Sequence, residues 1–485
     1  MTTLPIHAGT VTAIGTVPQI PIGEFRKTII RQVGEGGRIV ALFGTPQGDS
    51  LRLFAVLSLD GNLSTTSATV KDAYPALTPE CPQAQLFERE IAEQWGIRPE
   101  GHPWLKPVRF PKGNAGIIEF FKVDGEEIHE VSVGPVHAGI IEPGHFRFQC
   151  HGEKVFNLEI SLGYQHRGIE RALVGGPDHR TIYYMGTLAG DTTIGHVTAY
   201  CNALEALADS DAPPRAQALR GIALELERLA NHAGDLGAMA GDVGYLPTSS
   251  FCGRIRGDYL NMTALLCGSR FGRGLVRPGG VQFDIDDRRA AELLDRLAKA
   301  ARDTEGAVKM LWSTPSVLAR FEDTGTVSAE LCEQLGLVGP AARACGIERD
   351  VRDNFPSGIY RFFHIPLSTW HSGDVFARAY VRWLEIQRSI AFIEDLVKAL
   401  PAGTVRAEVG SLAANSMVVS LAEGWRGEIC HVAITDGQGR FARYKVIDPS
   451  FRNWSGLSMA LRDGQISDFP LCNKSFNLSY CGHDL

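Results

Sequence analysis

The chain has 485 residues, more than one hydrophobic core usually serves, so we expect two domains and exclude a small single-core fold. Its formal net charge of −7 argues against nucleic acid or an anionic membrane surface as the main partner. Ten cysteines without a CxxC pair exclude a disulfide framework and favour a reducing compartment. The sequence shows neither an export signal nor an apolar run that could span a membrane, so we expect a cytoplasmic protein.

The first domain is predicted to comprise residues 1–112 and to be a small α+β unit. FRKTIIRQV has the apolar periodicity of a helix, and RIVALFGT and LRLFAVLSL are strand-like runs separated by the turn-forming PQGDS. LFEREIAEQW predicts a second helix that ends at Gly96 and is followed by the Pro and Gly residues typical of loops. The domain is therefore expected to end near residue 112.

The second domain is predicted to span residues 125–485 and to be mainly helical with small β elements, which makes the whole chain an α+β protein. IHEVSVGPVHAG and HFRFQCHGEKVFNLEISLG indicate a pair of strands with the turn at His151-Gly152. RAQALRGIALELERLANHAGDLGAMAG and VFARAYVRWLEIQRSIAFIEDLVKAL have apolar residues at helical spacing. EICHVAITDGQGRFARYKVID predicts a hairpin whose turn is Asp436-Gly437.

Two sets of motifs carry a resemblance to known families. FEREIAEQWGIRPEGHPWL, at residues 87–105, resembles the 30 kDa subunit of respiratory complex I. GPVHAGIIEPGHFRF, LGYQHRGIER, AYCNALE, ELERLANH, WRGE and DPSFRNW resemble the 49 kDa subunit of complex I and the large subunit of group 4 nickel-iron hydrogenases, including the formate hydrogenlyase type. The second resemblance covers roughly residues 125–485.

The metal site that this resemblance implies is missing its ligands. A nickel-iron centre in the family takes two thiolates from each of two CxxC motifs, and soft sulfur ligands cannot be exchanged for hydroxyl or methyl groups. In LAGDTTIGHVTAYCNALE the first two ligand positions fall on Ala189 and Thr192, and in SFNLSYCGH the second two fall on Ser479 and Gly482. We expect no metal in this chain, and we expect Cys481 to be an ordinary thiol whose side chain turns away from the site.

The quinone-binding pair of complex I is incomplete as well. The position matched to the quinone tyrosine is Gly190, which carries no donor side chain. The histidine belongs to a GPxHPxxHG loop, and its match in GPVHAGIIEPGHFRF is either Pro143 or His145, because this loop has extra residues. In hydrogenases the same point is a proton-carrying glutamate, and Glu142 is adjacent, so the register of this loop stays open.

Several ionisable groups survive at positions that the resemblance places around the site. Asp242 matches an acid that partners the quinone histidine, although the intervening family histidine falls on Met239. Arg426 matches an arginine beside the metal ligands. Together with the loop residues, the candidate proton-relay or cavity residues are Asp242, Arg426, Glu142, His145 and His137. Two interpretations stay open: these groups relay protons in a metal-free cavity, or they are satisfied loop histidines and structural ion pairs. We expect Glu225, Glu227 and Arg228 to be structural.

The resemblance implies a subunit of a membrane-bound, energy-converting oxidoreductase complex on the inner face of the cell membrane. Such a subunit packs against a small iron-sulfur subunit and antiporter-like membrane subunits, and a ferredoxin-like subunit is a further expected partner. The chain itself is expected to hold no cofactor, since the iron-sulfur cluster lies in the partner. The alternatives are a non-catalytic scaffold, an active formate hydrogenlyase-type hydrogenase, or an NADH-quinone oxidoreductase subunit.

Overall fold

The computed structural model describes residues 2–111 and 115–485. The predicted end of the first domain, residue 112, lies outside these ranges, and the domain boundaries stay a prediction. The strands are β1 Leu4–Ile6, β2 Val11–Ala13, β3 Arg38–Gln47, β4 Ser50–Leu59, β5 Asn62–Val70, β6 Ala73–Pro75, β7 Arg98–Glu100, β8 Ile128–Val133, β9 His145–His151, β10 Lys154–Ser161, β11 Val276–Arg277, β12 Gly280–Val281, β13 Ser416–Gly424, β14 Gly427–Thr435 and β15 Phe441–Ile447.

The helices alternate with these sheets, so the predicted α+β class is confirmed. They are α1 Ile22–Gly34, α2 Gln85–Trp95, α3 Ile169–Ala172, α4 Thr181–Met185, α5 Thr193–Leu207, α6 Pro214–Asp242, α7 Leu246–Cys267, α8 Asp287–Trp312, α9 Pro315–Phe321, α10 Ala329–Leu335, α11 Gly339–Arg343, α12 Val351–Asn354, α13 Val375–Lys398, α14 Pro449–Ala460, α15 Phe469–Phe476 and α16 Tyr480–Asp484. Short 3₁₀ turns occupy Ile14–Thr16, Pro82–Ala84, Gly358–Arg361 and Ile466–Asp468.

The N-terminal sheet is antiparallel with the order β1-β5-β4-β3. Its β3 and β4 are the two apolar runs predicted from the sequence, and α1 packs on them through Phe25 and Ile29, which are buried. Helix α2 ends where Gly96 adopts a left-handed conformation, as predicted, because glycine takes a positive φ without a steric cost. The predicted helix and strands of this region are confirmed.

The helical core is built around α6, a helix of 29 residues that packs against α5, α7, α13 and α15. Its apolar stripe, which includes Leu219, Ile222, Leu226 and Leu229, is buried as its spacing predicts. Helix α13 matches the second predicted long helix. These helices hold one side of the candidate site in place.

The C-terminal sheet has the order β15-β14-β13-β2, so a strand from the first 20 residues completes it. Met417 and Val432 of this sheet share a hydrophobic core with Phe43 and Phe54 of the N-terminal sheet. Buried ion pairs also join the two sheets, with Arg38 of β3 bound to Glu428 of β14 at 2.5 and 2.8 Å. The two predicted domains are therefore packed as one continuous structure.

The structure differs from the predicted strands at two places. The predicted pair is a three-stranded sheet of order β10-β9-β8, and its hairpin turn is Gly152-Glu153, since His151 still pairs with Lys154. Strand β13, SMVVSLAEG, was not predicted, because it is buried on both faces and shows no polar-apolar alternation. The hairpin of β14 and β15 is confirmed, with its turn beginning at Asp436.

Candidate functional site

The site around the four positions matched to nickel ligands lies where three elements meet: the start of α5, the turn between β13 and β14, and the start of α16. Trp425 in the turn donates its indole N–H to the carbonyl of Asp191, just before α5, at 3.1 Å. Arg426 in the same turn donates its Nε–H to the carbonyl of Asn477, just before α16. The turn therefore ties the two halves of the site together.

The first two ligand positions carry groups that are already engaged by protein. Ala189 is fully buried and presents only a methyl group. The buried hydroxyl of Thr192 accepts hydrogen bonds from the Trp425 indole N–H at 3.1 Å and from Nη1 of Arg426 at 3.2 Å. Neither side chain can act as a soft metal ligand.

The second two ligand positions are equally unsuited to a metal. Ser479 is the N-cap of α16, and its hydroxyl accepts a hydrogen bond from the Gly482 N–H at 2.9 Å. A β-carbon at Gly482 would lie 2.7 Å from Cγ of the buried Asp448, so a side chain there would have to displace this carboxylate. A nickel-iron centre held by four thiolates does not fit the residues present at these four positions.

Arg426 forms a two-pronged ion pair with Asp191, an acid that none of the sequence motifs singled out. The distances are 2.6 Å from Nη1 and 2.8 Å from Nη2 to the two carboxylate oxygens, and the guanidinium lies 3.8 Å over the Trp425 ring. Burial acts to raise the pKa of Asp191, but the neighbouring guanidinium outweighs it and holds that pKa below its ordinary value. The pair is therefore ionised at neutral pH.

The thiol of Cys481 lies inside the site, so the expectation that it turns away is wrong. Its Sγ is 3.4 Å from the Ser479 hydroxyl and lies beside the Glu142 carboxylate and the Gly190 backbone. The reason is that Ser479 caps the helix, so Cys481 belongs to the first helical turn and folds back over its cap. Burial and the Glu142 charge raise the pKa of the thiol to about 11, so it is protonated at neutral pH.

The loop before β9 brings one of its three candidate residues to Cys481. Glu142 contacts the thiol as described, whereas His145 is the first residue of β9 and packs its ring 5.2 Å from that of Phe120. Successive side chains of a strand alternate in direction, and the next residue, Phe146, is the one that faces Tyr480 of α16. Of the two ionisable residues in this open register, the structure therefore places Glu142 against α16 and His145 against Phe120.

His137 is a satisfied loop histidine. Its Nε2 lies 2.8 Å from the Gly144 carbonyl oxygen, and because a carbonyl can only accept, Nε2 carries the proton. This bond closes the loop on itself. His137 is thus held by the loop that contains Glu142.

Asp242, the acid predicted to face the cavity, lies at the C-terminal end of α6. Asn231 of the same helix reaches the site by donating to the Asp191 carbonyl at 3.1 Å, and Asp242 lies eleven residues further, roughly 16 Å along the axis. Nearer along the same helix, Asp235 accepts from the Asn477 amide at 2.6 Å. The structure thus brings Asp235 to the turn residues, and the role of Asp242, which is exposed at the end of α6, stays a prediction.

A buried hydrogen-bonded chain leads inward from the Gly482 position. Asp448 lies 3.0 Å from Nε2 of His196, Nδ1 of His196 lies 3.1 Å from Nε2 of His431, and Nδ1 of His431 lies 2.9 Å from the Tyr444 hydroxyl. All four side chains are at most 1 % exposed. The sequence signal for this chain is a histidine in the middle of the apolar strand EICHVAIT, which none of the predicted site residues includes.

The charges along this chain fix part of its protonation. Burial acts to raise the pKa of Asp448, but the hydrogen bond from His196 and the charge of Arg426 hold it below its ordinary value. Asp448 is thus ionised and accepts the Nε2–H of His196. Burial, and next the neighbouring His196, lower the pKa of His431 well below its ordinary value, so His431 is neutral.

Glu227 of α6 caps the start of α5 beside these groups. Its two carboxylate oxygens accept the N–H groups of Ile194 at 2.7 Å and Gly195 at 3.1 Å. Burial raises the pKa of Glu227 to about 8 in spite of these bonds. The expectation that the ELER motif is structural thus has a local basis, but this carboxyl also titrates close to neutral pH.

Two properties of the described residues concern metal binding and membrane-spanning helices. In the ranges 2–111 and 115–485, no three His, Cys, Asp or Glu side chains are grouped closely enough to bind a metal ion. Across the same described residues, no helix combines the length and apolarity needed to cross a membrane.

Comparison with known protein families identifies two segments. Residues 242–417 match the family described as Respiratory-chain NADH dehydrogenase, 49 Kd subunit, and residues 40–117 match the family described as Respiratory-chain NADH dehydrogenase, 30 Kd subunit. The second match contains the segment 87–105, and the first lies within residues 125–485, the range of the second resemblance.

Individual relatives extend the match over most of the chain. The carbon monoxide-induced hydrogenase of Rhodospirillum rubrum is 32% identical over 72% of this chain and 97% of its own length. Formate hydrogenlyase subunit 5 of Escherichia coli (strain K12) is 28% identical over 92% of this chain and 84% of its own. An NADH-quinone oxidoreductase subunit of Solibacter usitatus is 29% identical over 70% of this chain and 92% of its own. The chain therefore belongs to the family of complex I 49 kDa subunits and group 4 hydrogenase large subunits, and carries a fused segment of the 30 kDa subunit family.

Proposed function

We propose that this chain is a subunit of a membrane-bound, energy-converting oxidoreductase complex that works without a nickel-iron centre and couples electron transfer from an iron-sulfur partner to proton chemistry. The names of its relatives, which include hydrogenases and NADH-quinone oxidoreductases, support the redox part. The residues at the four ligand positions support the absence of nickel, because they offer two hydroxyls, a methyl group and a glycine.

The buried chain from Asp448 to Tyr444 is the observation that carries the proton chemistry. In its neutral state Tyr444 donates to His431, His431 donates to His196, and His196 donates to the carboxylate. When the chain takes up one proton, His196 donates to His431 and His431 donates to Tyr444. The direction of both of these hydrogen bonds is then reversed. The chain can therefore gain or lose one proton by shifting hydrogens along existing bonds. Reduction of a nearby cluster would favour the protonated state because it adds negative charge.

The expected partners follow from this proposal. A small iron-sulfur subunit would supply the electrons, antiporter-like membrane subunits would anchor the complex, and a ferredoxin-like subunit would deliver electrons to it. The chain would then lie on the inner face of the cell membrane, attached through these partners.

A non-catalytic scaffold is the second candidate, and the engagement of Arg426 favours it. This guanidinium is bound to Asp191 and Asn477 and stacked on Trp425, so it is held as a structural group. In a scaffold, the ion pair would serve only to hold α5 and α16 together.

The experiment that separates the two candidates uses the purified complex. Electron transfer to quinones, sulfur and carbonyl acceptors is measured for the wild type, for Arg426→Met and His431→Gln, and for Asp463→Asn as a control at an exposed acid outside the site. The proposal predicts lower turnover in the first two variants and unchanged turnover in the control. Equal turnover in all four proteins, each shown to be folded and assembled, would favour the scaffold.

A further inference from the structure

A second buried ionic cluster lies behind the β13–β14 turn, between α6, α11, α12, α13 and β13. Among the described residues it contains three guanidinium groups and four carboxyl groups, all at most 7 % exposed: Arg228, Arg343, Arg352, Glu225, Glu385, Glu423 and Asp350. Charges buried at this depth are stable only when they are balanced. The count leaves one carboxyl without a matching cation.

His232 could supply the missing positive charge, but its surroundings disfavour it. Its Nε2 lies 2.8 Å from Glu385, and its Nδ1 has no protein partner among the described residues. Burial lowers its pKa, with Arg382 and Arg228 adding to the effect. A neutral His232 leaves the balancing proton to one of the four carboxyls.

Glu423 is the carboxyl with the weakest set of cationic donors. It accepts one guanidinium N–H, from Arg343 at 2.8 Å, and the backbone N–H of Val351 at 3.0 Å. Each of the other three carboxyls accepts at least two hydrogen bonds from guanidinium groups. Glu225 is bound by Arg228 and Arg352, and Glu385 is bound by Arg343 and Arg228. Asp350 is bound by two nitrogens of Arg352. The proton is therefore best placed on Glu423.

The remaining charges that face Glu423 do not change this assignment. Asp350 disfavours its ionised form, while Arg343, Arg352 and Arg228 favour it. Glu428 lies opposite Glu423 on the neighbouring strand β14, and its charge is matched by Arg38. Burial, followed by Asp350, raises the pKa of Glu423 to about 7.

Cavities on two sides of Glu423 give protons a route to it. One, of about 190 Å³, lies towards the N-terminal sheet and is also lined by Asp60 and Asn354. The other, of about 30 Å³, has room for one or two water molecules and is lined by Thr198, whose buried hydroxyl has no protein partner in the described structure. It shares Asn202 and other lining residues with a wider polar cavity of about 230 Å³.

The cluster is joined to the candidate site through the backbone. Arg228 donates to the carbonyl of Glu423 at 2.7 Å and to that of Gly424 at 3.1 Å, at the start of the turn that carries Arg426. Arg426 is three residues beyond Glu423, so their α-carbons are at most about 10 Å apart. A change of charge at Glu423 thus acts on the same turn that holds the Asp191 ion pair.

We propose that Glu423 is a proton-loading residue of this subunit, which takes up and releases one proton through the water-accessible cavities on its two sides. The inference rests on the proposed function, since it names the residue at which a proton is stored close to the site. The step is a proton transfer between a water molecule and the carboxyl, so that no oxidant or reductant is consumed.

Infrared spectroscopy of the purified full chain tests this assignment without any turnover. Glu227, whose pKa is about 8, gives one carbonyl-stretch band of a protonated carboxyl, which Glu227→Gln identifies. A second such band should grow as the pH is lowered through about 7, should be absent in Glu423→Gln, and should persist in Glu348→Gln, a control at another acid of the larger cavity. If the second band does not titrate there in the wild type, or if Glu423→Gln retains it, the assignment is wrong.

A second variant covers the case in which Glu423→Gln does not fold. Thr198→Val keeps the shape of the side chain but removes the hydroxyl from the small cavity, and should slow the shift of the band on transfer to D₂O. A shift as fast as in the wild type overturns the route through this cavity.

Proton uptake by the intact complex on reduction separates this inference from the proposed function. Glu423→Gln should take up fewer protons per electron than the wild type, and equal uptake would overturn the role of Glu423. A wild-type complex that transfers no electrons would instead overturn the proposed function, while the infrared result on the chain would stand.

Discussion

At the scale of single residues, the site is defined by which groups contact each other, and sequence position alone did not show this. The structure places Arg426, a predicted site residue, against Asp191, which lies 235 positions away in sequence. Asp242, which a motif register predicts as a cavity residue, is exposed at the end of α6, seven residues and about 10 Å along the helix beyond Asp235. Cys481 was judged by strand and helix periodicity, which does not hold at a helix cap.

The Arg426–Asp191 pair should contribute to stability because removing the guanidinium leaves the Asp191 carboxylate, which also accepts from the Thr192 hydroxyl, without its cation. We expect Arg426→Met to lower the free energy of unfolding by about 1–3 kcal/mol, a value reduced for the partial exposure of Asp191. Chemical denaturation measures this. Asp242→Asn, the matched control, should change it by less than about 0.5 kcal/mol.

Cys481 should react slowly with alkylating reagents at neutral pH, since its pKa of about 11 leaves little thiolate. Glu142→Gln removes a negative charge beside the thiol, which lowers the pKa and should speed alkylation at a given pH. Peptide mass spectrometry after timed labelling follows this residue specifically. An unchanged rate in Glu142→Gln would show that Glu142 does not contact the thiol in solution.

At the scale of secondary structure, apolar periodicity predicted the long helices and the N-terminal strands, because their apolar residues recur at the spacing of a helix or a strand. It failed for β13, which is buried on both faces. The candidate site depends on that strand, since its end forms the turn that carries Trp425 and Arg426. Strands β14 and β15, which carry His431 and Tyr444, are predicted, but the chain from Asp448 to Tyr444 is not, because its bonds to His196 span 235 and 252 positions.

Glu227 should make stability depend on pH through the start of α5. Its pKa is about 8 in the folded chain, above the value of an unfolded glutamate, so the folded state binds more protons between about pH 5 and pH 8. Its contribution to the free energy of unfolding is therefore present at low pH and is lost as the pH rises through 8. Thermal unfolding across this range should show a smaller decline in Glu227→Gln than in the wild type, and equal declines would contradict this account.

At the scale of the whole molecule, the two predicted units are joined by a shared core and by buried charges. Lys445 of β15 is fully buried and binds Glu90 of α2 at 2.6 and 2.7 Å and Glu170 of α3 at 2.9 Å. These acids come from the ERE and IER motifs that carried the family resemblance. The motifs thus have a structural role at this junction, which sequence patterns could not show because the contact spans 355 positions.

Lys445→Met should therefore destabilise the whole chain. It removes the cation that the two buried carboxylates share, while Arg109 still binds Glu90 and Arg443 still binds Glu170. We therefore expect a cost of about 3 kcal/mol, the lower end of the range for a broken buried ion pair. Denaturant unfolding followed by tryptophan fluorescence and by circular dichroism should shift to lower denaturant with both probes together. Lys154→Met, at an exposed pair with Asp463, should leave the midpoint unchanged, and a similar shift in both variants would refute the role of burial.

The central claim, that this subunit couples electron transfer to proton chemistry without nickel, is tested most directly by proton uptake on reduction of the purified complex, with nickel determined in the same sample. We predict far less than one nickel per chain, together with proton uptake that falls in His431→Gln and in Tyr444→Phe, which keeps the ring but removes the last hydroxyl of the buried chain. About one nickel per chain, or uptake that is unchanged in both variants, would contradict the account.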